Sequence, residues 1–219
     1  MIDWKINQIW KGSILTSIAH AIMVAHYPEL SNEHSWDGIN YIVQDNAGAR
    51  GTITFRGKYC TAAFRYDLSE RVNSTRYGEF FKGAPRELIE MAESETLQYL
   101  LDEVEGEAIP VITTAFWGED DELFSIDSFE ELLENGGHLL KVQSMDYDSA
   151  LSALIEYYDM SQIQLDLLQS IYARKIKKPE KTIVLSKKEI DMIGVGDISE
   201  LSESTESFKE INIIRDIDG

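Results

Sequence analysis

The chain has 219 residues, 43 % of them hydrophobic and 10 % aromatic, and carries a formal net charge of −19. A disordered chain of this charge would lack so many core-forming residues, so the composition describes a folded protein long enough to bury a real core. The acidity argues against direct phosphate recognition, which needs clustered Lys and Arg, and the solitary Cys60 excludes an intrachain disulfide and fits a reducing compartment.

Ile6, Trp10, Ile14, Ile18 and Ile22 recur every four residues, with Ile9, Leu15 and Ala19 beside them. That is the apolar stripe of an amphipathic helix ending near Tyr27 and Pro28. Gly12 weakens this helix without forbidding it. The apolar run at residues 14–25 is interrupted by Thr16, Ser17 and His20 and falls short of the roughly 20 residues of a membrane span. It reads as part of a fold rather than as a secretion signal, and the expected location is cytoplasmic, with no membrane partner. From Ile39 the period changes to two. Ile39, Tyr41 and Val43 form one alternating run and Ile53 and Phe55 a second, while in a third Cys60, Ala62, Phe64 and Tyr66 oppose Tyr59, Thr61, Ala63 and Arg65. Turn chemistry at Asp45-Asn46-Ala47-Gly48 and at Gly57-Lys58 joins them into an antiparallel three-strand meander.

Pro85 opens a second helix, with Leu88, Ala92, Leu97, Leu100, Leu101 and Val104 along its buried side. Residues 109–117 are rich in β-formers and read as a fourth strand running into the acidic turn Gly118-Glu119-Asp120-Asp121-Glu122. Ser128 and Glu131 make a capping-box signature, Asn135-Gly136-Gly137 closes that helix, and residues 139–142 read as a fifth strand. A helix from about Asp148 carries Leu151, Leu154, Ile155 and Tyr158, and after a break at Ser161 the pattern resumes with Leu167, Leu168 and Ile171. Arg174, Lys175, Lys177 and Lys178 complement the dipole at its end, and Pro179 stops it. Two short β-like runs, 182–185 and 211–214, flank a Ser/Glu-rich stretch at 199–207 that is expected to be solvated and mobile. The fold class is therefore α+β: an antiparallel β-meander of about four to five strands packed with several amphipathic helices. One domain is the simplest arrangement, with residues 1–178 as its core and 179–219 as a C-terminal extension.

The acidity is regional. Residues 87–173 hold 21 Asp or Glu against Lys141 alone, whereas residues 1–86 carry 10 basic and 8 acidic side chains. Such a field attracts cationic partners and repels nucleic acid. Glu119, Asp120, Asp121, Glu122, Glu130, Glu131 and Glu134 are the candidate partner-binding residues, because a turn and a short helix can present them together, with nearby aromatics as anchors. The leading expectation is a protein-binding protein directed at a basic partner, in the manner of an immunity-type inhibitor that covers the cationic channel of a toxin or nuclease. A regulatory or scaffold subunit with an incidental acidic face is a further reading.

Motifs for chemistry are sparse. His20 and His26 lie roughly 240° apart around a helix and cannot hold one metal ion from the same face. The run from Gly51 to Lys58 has the wrong spacing for a phosphate loop, and Cys60 falls on an apolar strand face. Glu119-Asp120-Asp121-Glu122 lacks the alternation of a calcium loop. No metal or other cofactor is expected. The best enzyme candidate is the loop expected around Glu33, His34 and Asp37, where Asp37 would orient His34 for hydrolytic acid–base work beside Trp36.

Overall fold

The computed structural model describes residues 2–73, 76–196 and 198–216, and its first helix, α1 (Ile6–Met23), is buried on every side across residues 12–23. An apolar stripe announces a helix lying on a core. Here Ser13, Thr16, Ser17 and His20 are buried too, so α1 runs through the core instead of along its surface.

The meander follows. An edge strand β1 (His34–Asp37) precedes β2 (Asn40–Gln44), β3 (Ala49–Arg56) and β4 (Tyr59–Tyr66). Two short helices, α2 (Tyr77–Phe80) and α3 (Arg86–Ser94), come next. The hairpin β5 (Leu101–Val104) and β6 (Glu107–Pro110) forms a separate two-stranded sheet. β7 (Thr114–Glu119) and β8 (Glu122–Phe124) complete a six-stranded sheet in the order β1-β2-β3-β4-β7-β8, antiparallel throughout. After α4 (Phe129–Glu134), the helices α5 (Tyr147–Tyr158) and α6 (Gln162–Lys177) are separated by Asp159 in the left-handed conformation and a Ser161 capping box. The C-terminal part contains β9 (Ile183–Leu185), α7 (Lys187–Asp191), α8 (Ser202–Glu210) and β10 (Ile213–Arg215), with β10 pairing parallel to β9.

Alternation in the strands decides what covers each face of the large sheet. Tyr41, Val43, Ile53, Cys60, Ala62, Phe64 and Phe116 face the start of α1, α4 and Leu140. Ala63, Ala115 and Trp117 face Phe80, Phe81, Leu88, Met91 and Leu97. A third cluster joins α1 to α5, α6, β9, β10 and α8.

The fold class is α+β as the sequence indicates, with more strands than it suggests. The excess begins at residues 34–37, which pair with β2 instead of looping. The long helix expected through Val104 stops at Ser94; Leu97 and Leu100 still reach the core, but from a 3₁₀ turn (Thr96–Leu100), and Leu101 and Val104 enter the hairpin. The expected strand at 109–117 splits, because Pro110 has no N–H to continue a ladder and β7 begins only at Thr114. Residues 139–142 form no strand: a 3₁₀ turn (Gly137–Leu140) drops Leu140 into the core. The Ser/Glu-rich stretch runs from a 3₁₀ turn (Ile198–Leu201) into α8, which is closed against α1 by Ser204 and Phe208, both about 1 % exposed. Its sequence hid this because only one large apolar side chain in nine anchors the helix.

Candidate functional site

The seven acidic candidates divide by what they touch. Asp120 and Asp121 form the two-residue turn of the β7–β8 hairpin, both at positive φ (49° and 70°), and this turn fixes where the adjacent carboxylates point. Glu119 and Asp120 pair with Lys58, and Asp121 accepts the backbone N–H of Asn7 at 2.7 Å. On α4, Glu131 closes the capping box with Ser128 and reaches Arg71 at 3.5 Å, and these contacts hold its carboxyl below the usual range. Glu122, Glu130 and Glu134 make no side-chain hydrogen bond or ion pair with a described residue and face solvent. The turn and the helix thus present three uncommitted carboxylates.

A denser acidic surface lies on the β5–β6 hairpin. Residues 101–110 hold Asp102, Glu103, Glu105 and Glu107 and no Lys or Arg. Asp102 is tied to Arg65, but the side chains of Glu103, Glu105 and Glu107 are exposed and make no ion pair with a described residue. Leu101, Val104 and Ile109 are exposed among them, at 38 %, 39 % and 38 %. The hairpin lines a groove of about 840 Å³ together with Arg65, Val72, Arg76 and Tyr77. The helical expectation for this stretch concealed the hairpin, although Glu105-Gly106 was a legible turn.

The histidine segment is built differently from its expected form. On β1 successive side chains alternate, so His34 and Trp36 turn inward while Asp37 turns outward. Asp37 accepts the hydroxyl of Tyr99 at 2.7 Å and cannot orient His34. His34 instead meets His20 of α1, the rings at 5.2 Å edge to face, and its Nδ1 lies 2.8 Å from the Tyr41 hydroxyl. Gln143 Nε2 donates to that same hydroxyl at 2.8 Å. With Gln143 donating to it, the Tyr41 hydroxyl donates to His34 Nδ1, and the hydrogen of the neutral ring then sits on Nε2. Burial, and then the neighbouring His20, push His34 down to about 3. Burial lowers His20 to about 4, opposed by the Ser31 backbone, and its Nδ1 is 3.3 Å from the Tyr158 hydroxyl.

These groups back onto a cavity of about 450 Å³ between β1, β2, α5 and the turn that follows Leu140. Buried Thr16, Gln143 and Tyr158 and half-buried Glu33, His34, Asp45 and His138 are among its lining, with Lys141, Glu156 and Tyr157 exposed. The Tyr157 hydroxyl donates to both oxygens of Glu33 at 2.8 Å. Burial raises the Glu33 carboxyl, partly offset by that hydrogen bond, and burial together with Glu33 pushes Tyr157 up to about 12. A histidine held near 3 by burial is a poor base and is almost never protonated near neutrality. Sequence reasoning named Glu33 and His34 but missed His20, Tyr41, Gln143 and Tyr158 as their companions. Only the buried position of His20 on an apolar helix hinted at them.

Among the described residues, no group of three or more His, Cys, Asp or Glu side chains is placed to hold a metal ion, and no helix is long and apolar enough to cross a membrane. Cys60 is fully buried on the sheet face, and burial raises its thiol far above the usual range. No protein-family model, curated protein or solved structure matches the chain.

Proposed function

We propose that the protein works by binding a basic protein partner, as an immunity-type inhibitor would, and that the β5–β6 hairpin and its groove form the contact surface. The observation that carries this reading is the mixture of Glu103, Glu105 and Glu107 with exposed Val104 and Ile109 along one groove of the hairpin. Carboxylates with no internal partner can take the Lys and Arg side chains of a partner, while the apolar residues supply contact area once water is excluded. Charge then chiefly raises the association rate, and the apolar contacts set dissociation. Glu122, Glu130 and Glu134 contribute further solvent-facing carboxylates; Glu119, Asp120, Asp121 and Glu131 contribute less, because Lys58, the Asn7 backbone N–H and Arg71 already engage them.

Charge reversal tests the assignment. The triple variant Glu103→Lys, Glu105→Lys and Glu107→Lys is expected to lose a basic partner that the wild-type chain retains at low salt and releases at moderate salt. Reversal of Glu119, Asp120, Asp121 and Glu122 is expected to slow association less. A partner held equally by the wild-type and hairpin-reversed chains, or held regardless of salt, would refute the surface.

A further inference from the structure

The end of α6 and the strand after it reverse the sign of the chain's charge, and they carry an inference independent of the β5–β6 hairpin. Residues 174–188 hold seven Lys or Arg against Glu180 alone, in a protein of net charge −19. Arg174, Lys177, Lys178 and Lys181 line a groove of about 330 Å³, and none of its described lining residues is acidic. Arg174 is already paired with Glu189, and the charge of Glu180 acts on the buried Lys175. Lys177, Lys178 and Lys181 are exposed and make no ion pair with a described residue. The helix dipole accounts for basic residues in the last turn of α6, but Lys181 lies beyond the helix.

Thr182, Ile183 and Val184 complete the lining, at the start of β9. Successive strand side chains point to opposite faces, so a hollow on one face would meet only alternate residues. This one meets three in a row and no residue of β10, so it runs along the flank of β9 that β10 leaves open. The ladder agrees. Ile183 donates its N–H to Asn212 and Leu185 accepts from the N–H of Asp216, so these two residues bond toward β10. Val184 between them turns its N–H and C=O the other way, where no strand among the described residues pairs with β9. Its side chain is 51 % exposed. An unpaired edge is a template for another strand. Two copies of β9 would bring their lysines together, so the charge works against self-pairing and favours a chain that carries carboxylates. We propose that an extended acidic peptide segment of a partner adds to the open edge of β9, its main chain bonded to Val184 and its carboxylates set against Lys177, Lys178 and Lys181.

The test is titration of the isotope-labelled full chain, followed by amide chemical shifts, at about 0.15 M salt, where a Debye length of about 8 Å suppresses repulsion from distant acids. The probe is acetyl-Glu-Val-Glu-Val-Glu-amide. It is expected to bind at millimolar concentration or below and to shift the amides of residues 181–186, whereas the Lys-Val-Lys-Val-Lys analogue is not expected to bind. N-methylation of every peptide nitrogen removes the main-chain donors but keeps the charge, and should weaken binding about fivefold or more. Lys178→Glu with Lys181→Glu should weaken it about tenfold. The matched reversal Lys187→Glu with Lys188→Glu, outside the groove, should weaken it about threefold at most. Val184→Pro removes the outward N–H without removing a bond to β10, and should weaken binding about three- to tenfold. Equal binding of the N-methylated peptide would leave charge without strand pairing and overturn the proposal. Binding undisturbed by the Lys178 and Lys181 reversal, or no shifts at residues 181–186, would overturn it too. Tighter binding of inorganic phosphate or of a hexathymidylate would assign the groove to phosphates instead. If Val184→Pro does not fold, the N-methylated peptide decides alone.

Discussion

Gly12→Ala tests the packing on which the cavity floor depends. Helix propensity alone favours alanine over glycine in a helix interior by about 1 kcal/mol, so a reading of α1 as an ordinary helix predicts a stabilised protein. The structure predicts the opposite. A Cβ on Gly12 would sit 2.1 Å from the carbonyl oxygen of Gln143, 2.6 Å from its carbonyl carbon and 2.7 Å from its Cα. Real Cβ contacts essentially never fall below 3.0 Å, so the shortest of these is 0.9 Å too close, and every atom it meets is backbone that no rotamer change can move. Overpacking costs typically about 1–3 kcal/mol even when side chains can adjust, and here α1 must separate from the segment carrying Gln143. Set against the gain in propensity, the expected outcome is a net loss of about 1–2 kcal/mol, at about 2–4 °C of melting temperature per kcal/mol for a chain of this size. Gly78→Ala is the matched control, because Gly78 lies in α2, is exposed, and its added Cβ would meet nothing within 4 Å. It is expected to stabilise by about 0.4–1 kcal/mol. Urea unfolding of both variants, with chemical shifts at Tyr41 and His34 to detect movement of Gln143, gives the readout. If Gly12→Ala matches or exceeds the wild type in stability, the close contact with Gln143 is refuted.

Two other outcomes follow from named residues. Folded His20 stays neutral down to about 4, whereas in the unfolded chain it takes a proton near 6.5; the unfolded state therefore binds more protons between these values, and stability falls as pH drops through that window. His34, lowered to about 3, acts in the same direction, and each contributes about 1 kcal/mol per pH unit inside its window. Urea midpoints from pH 7.5 down to pH 5 should decline accordingly and His20→Gln should decline less, whereas an unaltered slope would remove His20 as a cause. At the β5–β6 turn, Glu105 sits at φ 55° and Gly106 at φ 86°, a pair of left-handed positions that suits Asn-Gly better than Glu-Gly. Glu105→Asn is expected to slow amide exchange across residues 101–110 about two- to fivefold, corresponding to about 0.5–1 kcal/mol, and faster exchange would contradict the turn assignment.

Legibility in the sequence tracked how local the deciding force was. Helix α1, the meander and the break at Ser161 rest on periodicity and capping within a few residues, and the helices and strands form there. The residues that differ answer to distant partners. Leu97 and Leu100 keep the spacing of a helix, yet their segment turns because Leu101 pairs with Pro110 and Asp102 with Ile109. Residues 34–37 contain turn formers and still extend, because β2 offers an unpaired edge. In the histidine site, a period of two placed Asp37 on the far face from His34, a consequence of strand geometry that a loop assignment hid. Gln143 and Tyr158 lie 102 and 138 residues from the groups they bond, Tyr41 and His20, and no local pattern connects them.

The regional charge shows the same contrast between chain and space. Arg56, Lys58, Arg65, Arg71 and Arg86 all come from the basic first 86 residues, and each pairs with an acid of the block that follows: Glu95, Glu119 with Asp120, Asp102, Asp127 with Glu131, and Glu90. The β3–β4 hairpin brings this about by pairing with β7 and packing under the Thr96–Leu100 turn, which sets Arg56 and Lys58 beside carboxylates encoded about 40–60 residues later. Pairing leaves the net charge as it is but redistributes the local field, because a carboxylate beside a guanidinium projects little potential outward. Mixed in space, much of the acidic block is paired, and what is left over is a set of carboxylates that form no ion pair with a described residue. Among the described residues these include Glu103, Glu105 and Glu107 of the β5–β6 hairpin, which make no ion pair although Arg65 and Arg76 share their groove. On the proposed reading, a basic partner steered by charge meets that hairpin before the sequence cluster at Glu119–Glu122, where Lys58 already pairs with two of the four carboxylates.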